Sequence, residues 1–209
     1  MNKRLSIFLL LASMVCCKNR TVVPHNESFT REIPHELEER GSLFESLKFI
    51  RDSLRLDTLE NGYDSMEIRI WMSMALSSQS QIVIIKNHKG NWSATSILFT
   101  PVHNDIKQDS LLYYTKESVN LVPKSSWDSF IKKLKDHQIL TLPDQDKLIG
   151  YDHPHDGGSV EFEISSKYVY RLYSYHAPGV NLHFPEAKNV EAILDLIKQE
   201  FGVKLIYNL

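Results

Sequence analysis

Around residues 66–73 and again around 160–164 the apolar side chains recur at every second position, and turn sequences separate these and the neighbouring apolar runs at short intervals. Half-buried β-strands joined by tight connections satisfy that pattern. Met66, Ile68, Ile70 and Met72 alternate with Glu67, Arg69, Trp71 and Ser73, and Val160, Phe162 and Ile164 alternate with Glu161 and Glu163. The run Gln81 to Lys86 is apolar without alternation, as expected of a central strand. Asn87-His88-Lys89-Gly90-Asn91 is turn chemistry, with Trp92 to Phe99 as the returning strand. Leu111 to Thr115 and Val119 to Val122 read as two further short strands. Ser165-Ser166-Lys167 turns the chain before Tyr168 to Tyr175, and Val203, Leu205 and Tyr207 read as a short final strand.

Helical spacing precedes, divides and follows these strands. Ser42 with Glu45 forms a capping box, and Leu43, Leu47, Ile50 and Leu54 follow at three- and four-residue steps. A second helix starts at Ser125 or Ser126, with Trp127, Phe130, Ile131 and Leu134 on one side. A third opens at Pro185, buries Val190, Ile193, Leu194, Ile197 and Phe201, and stops at Gly202. Strands linked by turns rather than helical crossovers predict an α+β fold. The expectation is a single domain over 35–209, a mostly antiparallel sheet built from hairpins with about three helices packed on one face.

The N-terminus has a different character. Met1-Asn2-Lys3-Arg4 is a short positive segment, and Leu5 to Val15 is apolar except for Ser6 and Ser13. That run is about half of the ~20 residues a spanning helix needs, and it fits the apolar region of an export signal. It runs straight into Cys16-Cys17, which looks like a bacterial lipobox. There the cysteine after a small residue receives acyl chains, palmitate among them. Cys17 follows the small Cys16, whereas Cys16 follows the branched Val15, so Cys17 is the expected lipidated residue and Cys16 the alternative. The expected organisation is a signal peptide over 1–16, then the lipidated cysteine and a flexible tether over 17–34, a polar stretch interrupted by two prolines. The chain has two cysteines, and adjacent ones cannot join distant parts of a fold, so the domain must rest on its core.

Acids outnumber bases by two in the full chain, and loss of Lys3 and Arg4 with the signal raises that excess to four. A mildly acidic domain without a Lys/Arg cluster has no electrostatic footprint for nucleic acid. The expected membrane contact is the acyl chains alone, which leaves a protein, glycan or small-molecule partner open.

Two groups of residues could carry chemistry. In Tyr151-Asp152-His153-Pro154-His155-Asp156-Gly157-Gly158, four possible metal donors fall within five positions, and His176 and His183 follow. Asp152, His153, His155 and His176 form the candidate site for Zn²⁺ or another divalent ion, with Asp156 or His183 as spare donors. The alternative is a solvated loop that ends at the Gly-Gly turn, with no cofactor. The second group is aromatic: Tyr173 and Tyr175 share one strand face and Trp71 lies on the polar face of its strand, all candidate binding residues. Structural use of the tyrosines is the alternative. Glu161 and Glu163 share an outer face and are expected to solvate it. No Gly-x-Ser-x-Gly elbow, phosphate loop or nucleotide fingerprint occurs in the chain.

The Trp127-x-x-Phe130 helix, the Asp156-Gly157-Gly158 turn, Tyr175-His176-Ala177-Pro178 and the Ala187 to Phe201 helix together resemble small lipoproteins of the Bacteroidota type. The resemblance covers roughly the last 85 residues. It implies a cell-envelope location and no catalytic residues. Lys18-Asn19-Arg20 lacks the acidic run that resembles a surface-export signal in that group, so the expected orientation is periplasmic. The reading is a membrane-anchored envelope lipoprotein acting as a non-enzymatic binding or structural module. Its alternative is a metal-dependent enzyme or metal-binding protein using the loop at 152–156.

Overall fold

Successive side chains of a strand face opposite ways, so the sheet of this chain offers two surfaces, and its central strands are covered on both. The structure, a computed structural model, describes residues 29–33, 43–104 and 111–208. Cys16, Cys17, the expected signal and Ser42 lie outside them. Among the described residues the strands are β1 (Thr30–Glu32), β2 (Met66–Met74), β3 (Ser80–His88), β4 (Asn91–His103), β5 (Leu111–Leu121), β6 (Gly158–Ser166) and β7 (Val169–His176). The helices are α1 (Leu43–Leu54), α2 (Trp127–Asp136) and α3 (Pro185–Phe201). The strands form one sheet in the order β1-β7-β6-β2-β3-β4-β5. Every pairing is antiparallel except β1 with β7. An α+β domain with a mostly antiparallel sheet and three helices is thus what the chain forms.

One face carries Ile68, Ile70, Val83, Phe162 and Tyr173 against Phe130 and Leu134 of α2 and Val190, Leu194 and Ile197 of α3. The two helices meet where Phe130 and Phe201 pack edge to face at 4.8 Å. The Glu200 carboxylate closes the junction, accepting from Lys133 Nζ at 2.6 Å and from the Ser125 amide at 2.9 Å. Ser126 caps α2, accepting from the Ser129 amide, and Gly202 ends α3 in the left-handed region at φ 65°.

The opposite face is not solvated. Trp71, Ile82, Ile84 and Phe99 form a second core with Leu47, Leu54 and Leu59. Helix α1 therefore packs on the face opposite α2 and α3, which corrects the expectation of helices on one face. The reason lies in the strands: β3 is buried at both parities, and Trp71 supplies apolar area on the side of β2 that otherwise reads as polar.

Smaller differences have local causes. β1 lies inside the stretch expected to be tether, because Thr30, Arg31 and Glu32 pair with Val169, Tyr170 and Arg171. β5 is one strand rather than two, since its residues keep β4 partners from His103 through Ala94, with one register shift at Val102/His103. The expected final strand is replaced by side-chain pairing. Gln81 Oε1 accepts from the Ile206 amide at 3.0 Å, and Gln81 Nε2 donates to the Lys204 carbonyl at 3.3 Å. The β3–β4 hairpin turns through Lys89 (φ 52°) and Gly90 (φ 86°), the left-handed pair of a two-residue loop.

Gly158 is where β6 passes closest to its neighbours. A Cβ there would lie 2.6 Å from Met74 Sδ and 2.7 Å from the Tyr207 ring. Gly158→Ala should lower stability by ~2 kcal/mol, within the range for overpacking, in a urea unfolding experiment.

Candidate functional site

Two polar groups stand out, and each holds an irregular stretch of main chain against the sheet. The first lies beneath the segment that follows α1. Arg69, fully buried, donates from Nε to Glu67 Oε1 at 2.7 Å, from Nη1 to Glu163 Oε2 at 3.3 Å and from Nη2 to the Asp57 carbonyl at 2.7 Å. Four more side chains secure the same segment. Lys116 Nζ donates to the Leu54 carbonyl, Ser165 Oγ to the Leu59 carbonyl, and Arg51 pairs with Glu60. Lys86 Nζ lies 3.0 Å from Glu67 and 3.5 Å from Asp57. Burial pushes the Glu163 carboxyl up, against the pull of Arg69 and Arg51, and Tyr170 donates to it at 3.2 Å.

Glu161 and Glu163 are buried, which corrects the expectation that they solvate an outer face. Both sit on the α1 face, where Glu161 is opposite Trp71 and Ser174 in the ladder. No cation pairs with Glu161 among the described residues. Burial pushes its carboxyl up to about 8, partly offset by a hydrogen bond from its own amide. Trp71 Nε1 beside it is buried and has no hydrogen-bond partner among the described residues.

The second group centres on β7 and the His/Asp loop. His176 Nε2 lies 2.6 Å from the Pro154 carbonyl and Nδ1 lies 3.0 Å from Ser159 Oγ. A carbonyl only accepts, which assigns the proton to Nε2 and leaves Nδ1 to accept from the Ser159 hydroxyl. The buried Asn181 clamps the same loop: its Oδ1 accepts from the Asp152 amide at 2.8 Å and its Nδ2 donates to the Asp152 carbonyl at 2.9 Å. Gly157 is required here, since a Cβ would lie 2.9 Å from His176 Nε2.

Among the expected metal donors, the structure brings His153 and His176 together, with rings stacked at 6.5 Å. Asp152, His155, Asp156 and His183 stay exposed. Among the described residues no group of three or more His, Cys, Asp and Glu converges on a point that could hold a metal ion. The candidate donors thus do not converge among the described residues, and the loop is held by a hydrogen-bonded clamp in which both ring nitrogens of His176 are engaged.

The expected binding aromatics are interior. Trp71, Tyr173 and Tyr175 are all buried. Tyr173 OH donates to the Ile139 carbonyl at 2.5 Å and Tyr175 OH to the Pro143 carbonyl at 2.7 Å. Arg171 donates to the Leu140 and Leu142 carbonyls. In return Asp144 Oδ2 accepts from the Ser174 amide at 2.8 Å and Gln145 Oε1 from the His176 amide at 2.5 Å, which closes the outer edge of β7. Tyr173 and Tyr175 are thus staples for the 139–145 loop, the structural use weighed beside a docking surface. Asn181, Asp144 and Gln145, which sequence reasoning missed, carry no local signal: each is one polar residue in a loop.

Three outcomes follow. Arg69→Ala takes the paired cation from the buried Glu163, leaves Glu67 with Lys86 alone and strips the Asp57 carbonyl of its donor, and should cost ~3–5 kcal/mol in urea unfolding. An acid whose pKa rises on folding keeps its proton where the unfolded chain has released it, so stability falls as pH climbs from 4.5 to about 8. Glu161→Gln should therefore stabilise by ~4 kcal/mol at pH 8 and by only ~1 kcal/mol at pH 5, read as melting temperature against pH. Zinc added in excess should leave the melting temperature unchanged, since binding at His176 would have to break the Pro154 or Ser159 contact. No protein-family model matches the chain, and no curated protein matches it.

Proposed function

We propose that the chain is a lipid-anchored module of a bacterial cell envelope, held to a membrane by acyl chains on Cys17, with a periplasmic domain that binds or scaffolds rather than catalyses. The observation that carries this reading is the short apolar run Leu5 to Val15 abutting Cys16-Cys17 behind Lys3 and Arg4. Such a run is too short to span and is placed to be processed at a cysteine. No helix among the described residues is long and apolar enough to cross a membrane, which fits an acyl anchor. Support for a non-catalytic domain comes from how its reactive side chains are engaged. His176, Tyr173, Tyr175, Arg69 and Arg171 all hold main-chain carbonyls or partners that fix the cover of the sheet.

A second reading, an acyl-transferring enzyme, rests on one contact. The Ser159 hydroxyl lies 3.0 Å from an imidazole whose far nitrogen is oriented by a carbonyl, the connectivity of an activated serine. Covalent labelling by a fluorophosphonate that disappears in Ser159→Ala would support it, and the proposed reading expects no labelling.

Growth of cells expressing the full chain on labelled palmitate tests the anchor. Label should enter the wild-type protein and Cys16→Ser and be absent from Cys17→Ser, which should also leave the membrane fraction. Retention of label by Cys17→Ser would overturn the assignment.

A further inference from the structure

The two ends of the sheet are treated differently. β7 is closed beyond β1 by the Asp144 and Gln145 side chains, which accept from its Ser174 and His176 amides. β5 at the other end has β4 on one side, and no strand among the described residues pairs with its outer edge. It is 11 residues long, LLYYTKESVNL, and exposed along nearly its whole length. An edge of that length is usually protected by proline, bulges or outward lysines. β5 has no proline, and the register shift opposite it falls at Val102/His103, near its start. Its one lysine, Lys116, is turned to the α1 side, where Nζ donates to the Leu54 carbonyl.

The edge is flanked by a cleft on each face. On the α2/α3 side a cleft of about 400 Å³ is lined by Leu98, Glu117, Val119, Val203 and Lys204. On the α1 side a cleft of about 460 Å³ lies between Phe49 and Ile50 of α1 and Tyr114 of β5. Val119 and Phe49 are each more than half exposed. Glu117 has no ion-pair partner among the described residues.

We propose that the outer edge of β5, which no described strand covers, takes up an extended peptide segment of another protein as an added strand. Its alternate side chains enter the two clefts, and a basic residue stands opposite Glu117. This deepens the binding reading and rests on it. Outward main-chain donors and acceptors at strand spacing are matched only by another extended backbone, and alternate side-chain pockets supply selectivity. On the face that carries Glu117, its neighbours two residues away are Thr115 and Val119. The matching peptide thus has a cation at one position and an apolar side chain two residues from it on the same face. A second copy of this chain fits less well. The twofold register that pairs the whole of β5 with itself sets Lys116 directly against Lys116 of the copy.

The test uses the full chain in detergent micelles. The probes are two synthetic peptides as long as β5 that alternate threonine and valine, with lysine or glutamate replacing the central valine. Hydrogen exchange is read by mass spectrometry. The lysine peptide at millimolar concentration should slow exchange of β5 amides about tenfold and the glutamate peptide should not. In Glu117→Lys, an exposed substitution at the edge, that preference should reverse. No slowing in β5, slowing elsewhere only, or equal response to both peptides in both proteins would overturn the proposal. Slowing of β5 exchange without peptide, in step with concentration-dependent dimer formation, would replace the peptide with a second copy. Repeating the measurement on Cys17→Ser separates the readings, because loss of the anchor leaves peptide uptake intact and failure of uptake leaves palmitate labelling intact.

Discussion

The Arg69 guanidinium is the point on which the α1 side of the molecule depends. A helix can satisfy its own main chain, but the segment from Leu54 to Glu60 is irregular and lies on the sheet, so its carbonyls must find donors beneath them. Arg69 gives one donor to the Asp57 carbonyl and holds its charge between Glu67 and Glu163. A buried ion pair is weak evidence of stability in itself, since an apolar replacement of equal volume often serves as well. What an apolar side chain could not do is meet the carbonyl of Asp57. The ions on this face are there to make a buried arginine tolerable, and the arginine is there to make a buried loop tolerable.

The same arrangement recurs on other strands with different chemistry. Tyr173 and Tyr175 place hydroxyls under the 139–143 carbonyls from the opposite face, and Asn181 reproduces with one amide the two hydrogen bonds of a strand partner for Asp152. Glu161 breaks the pattern. It is two residues from Glu163 on the same strand face and equally enclosed, yet one carboxylate has Arg69 and the other has no cation among the described residues. The difference in their surroundings is a difference of two ladder rows, Trp71 standing opposite Glu161 and Arg69 opposite Glu163.

Much of the sheet was legible because its signal is periodic. Met66 to Met72 and Val160 to Ile164 announce one buried face, Lys89-Gly90 announces the hairpin, and Pro185 and Gly202 bracket α3. The placement of α1 was not legible. Periodicity shows that Leu47 and Leu54 are to be buried but not on which side of the sheet, and Trp71 amid polar neighbours was the one hint. The arrangement of the His/Asp loop was not legible for a related reason. Donor density along the chain says nothing about where side chains converge, and Asn181 and Pro154, which decide that geometry, have no motif. Tyr173 and Tyr175 suit a structural role by strand preference, but which main chain they hold is not legible until the position of the 139–145 loop is known.

The order of strands has a kinetic meaning. β2 lies at the middle of the sheet, hydrogen-bonded on one side to β3, which follows it closely, and on the other to β6, where Ile70 meets Phe162. The β3–β4 and β6–β7 hairpins close over short loops and can form within microseconds, whereas the β2–β6 seam must close most of the intervening chain. Until β6 and β7 have left the ribosome, β2 has no second neighbour and the apolar side chains of both cores lack half of their cover. A nascent chain of this sequence therefore remains unlocked for nearly its whole synthesis and commits to its fold late, when the last hairpin arrives to close the seam against β2.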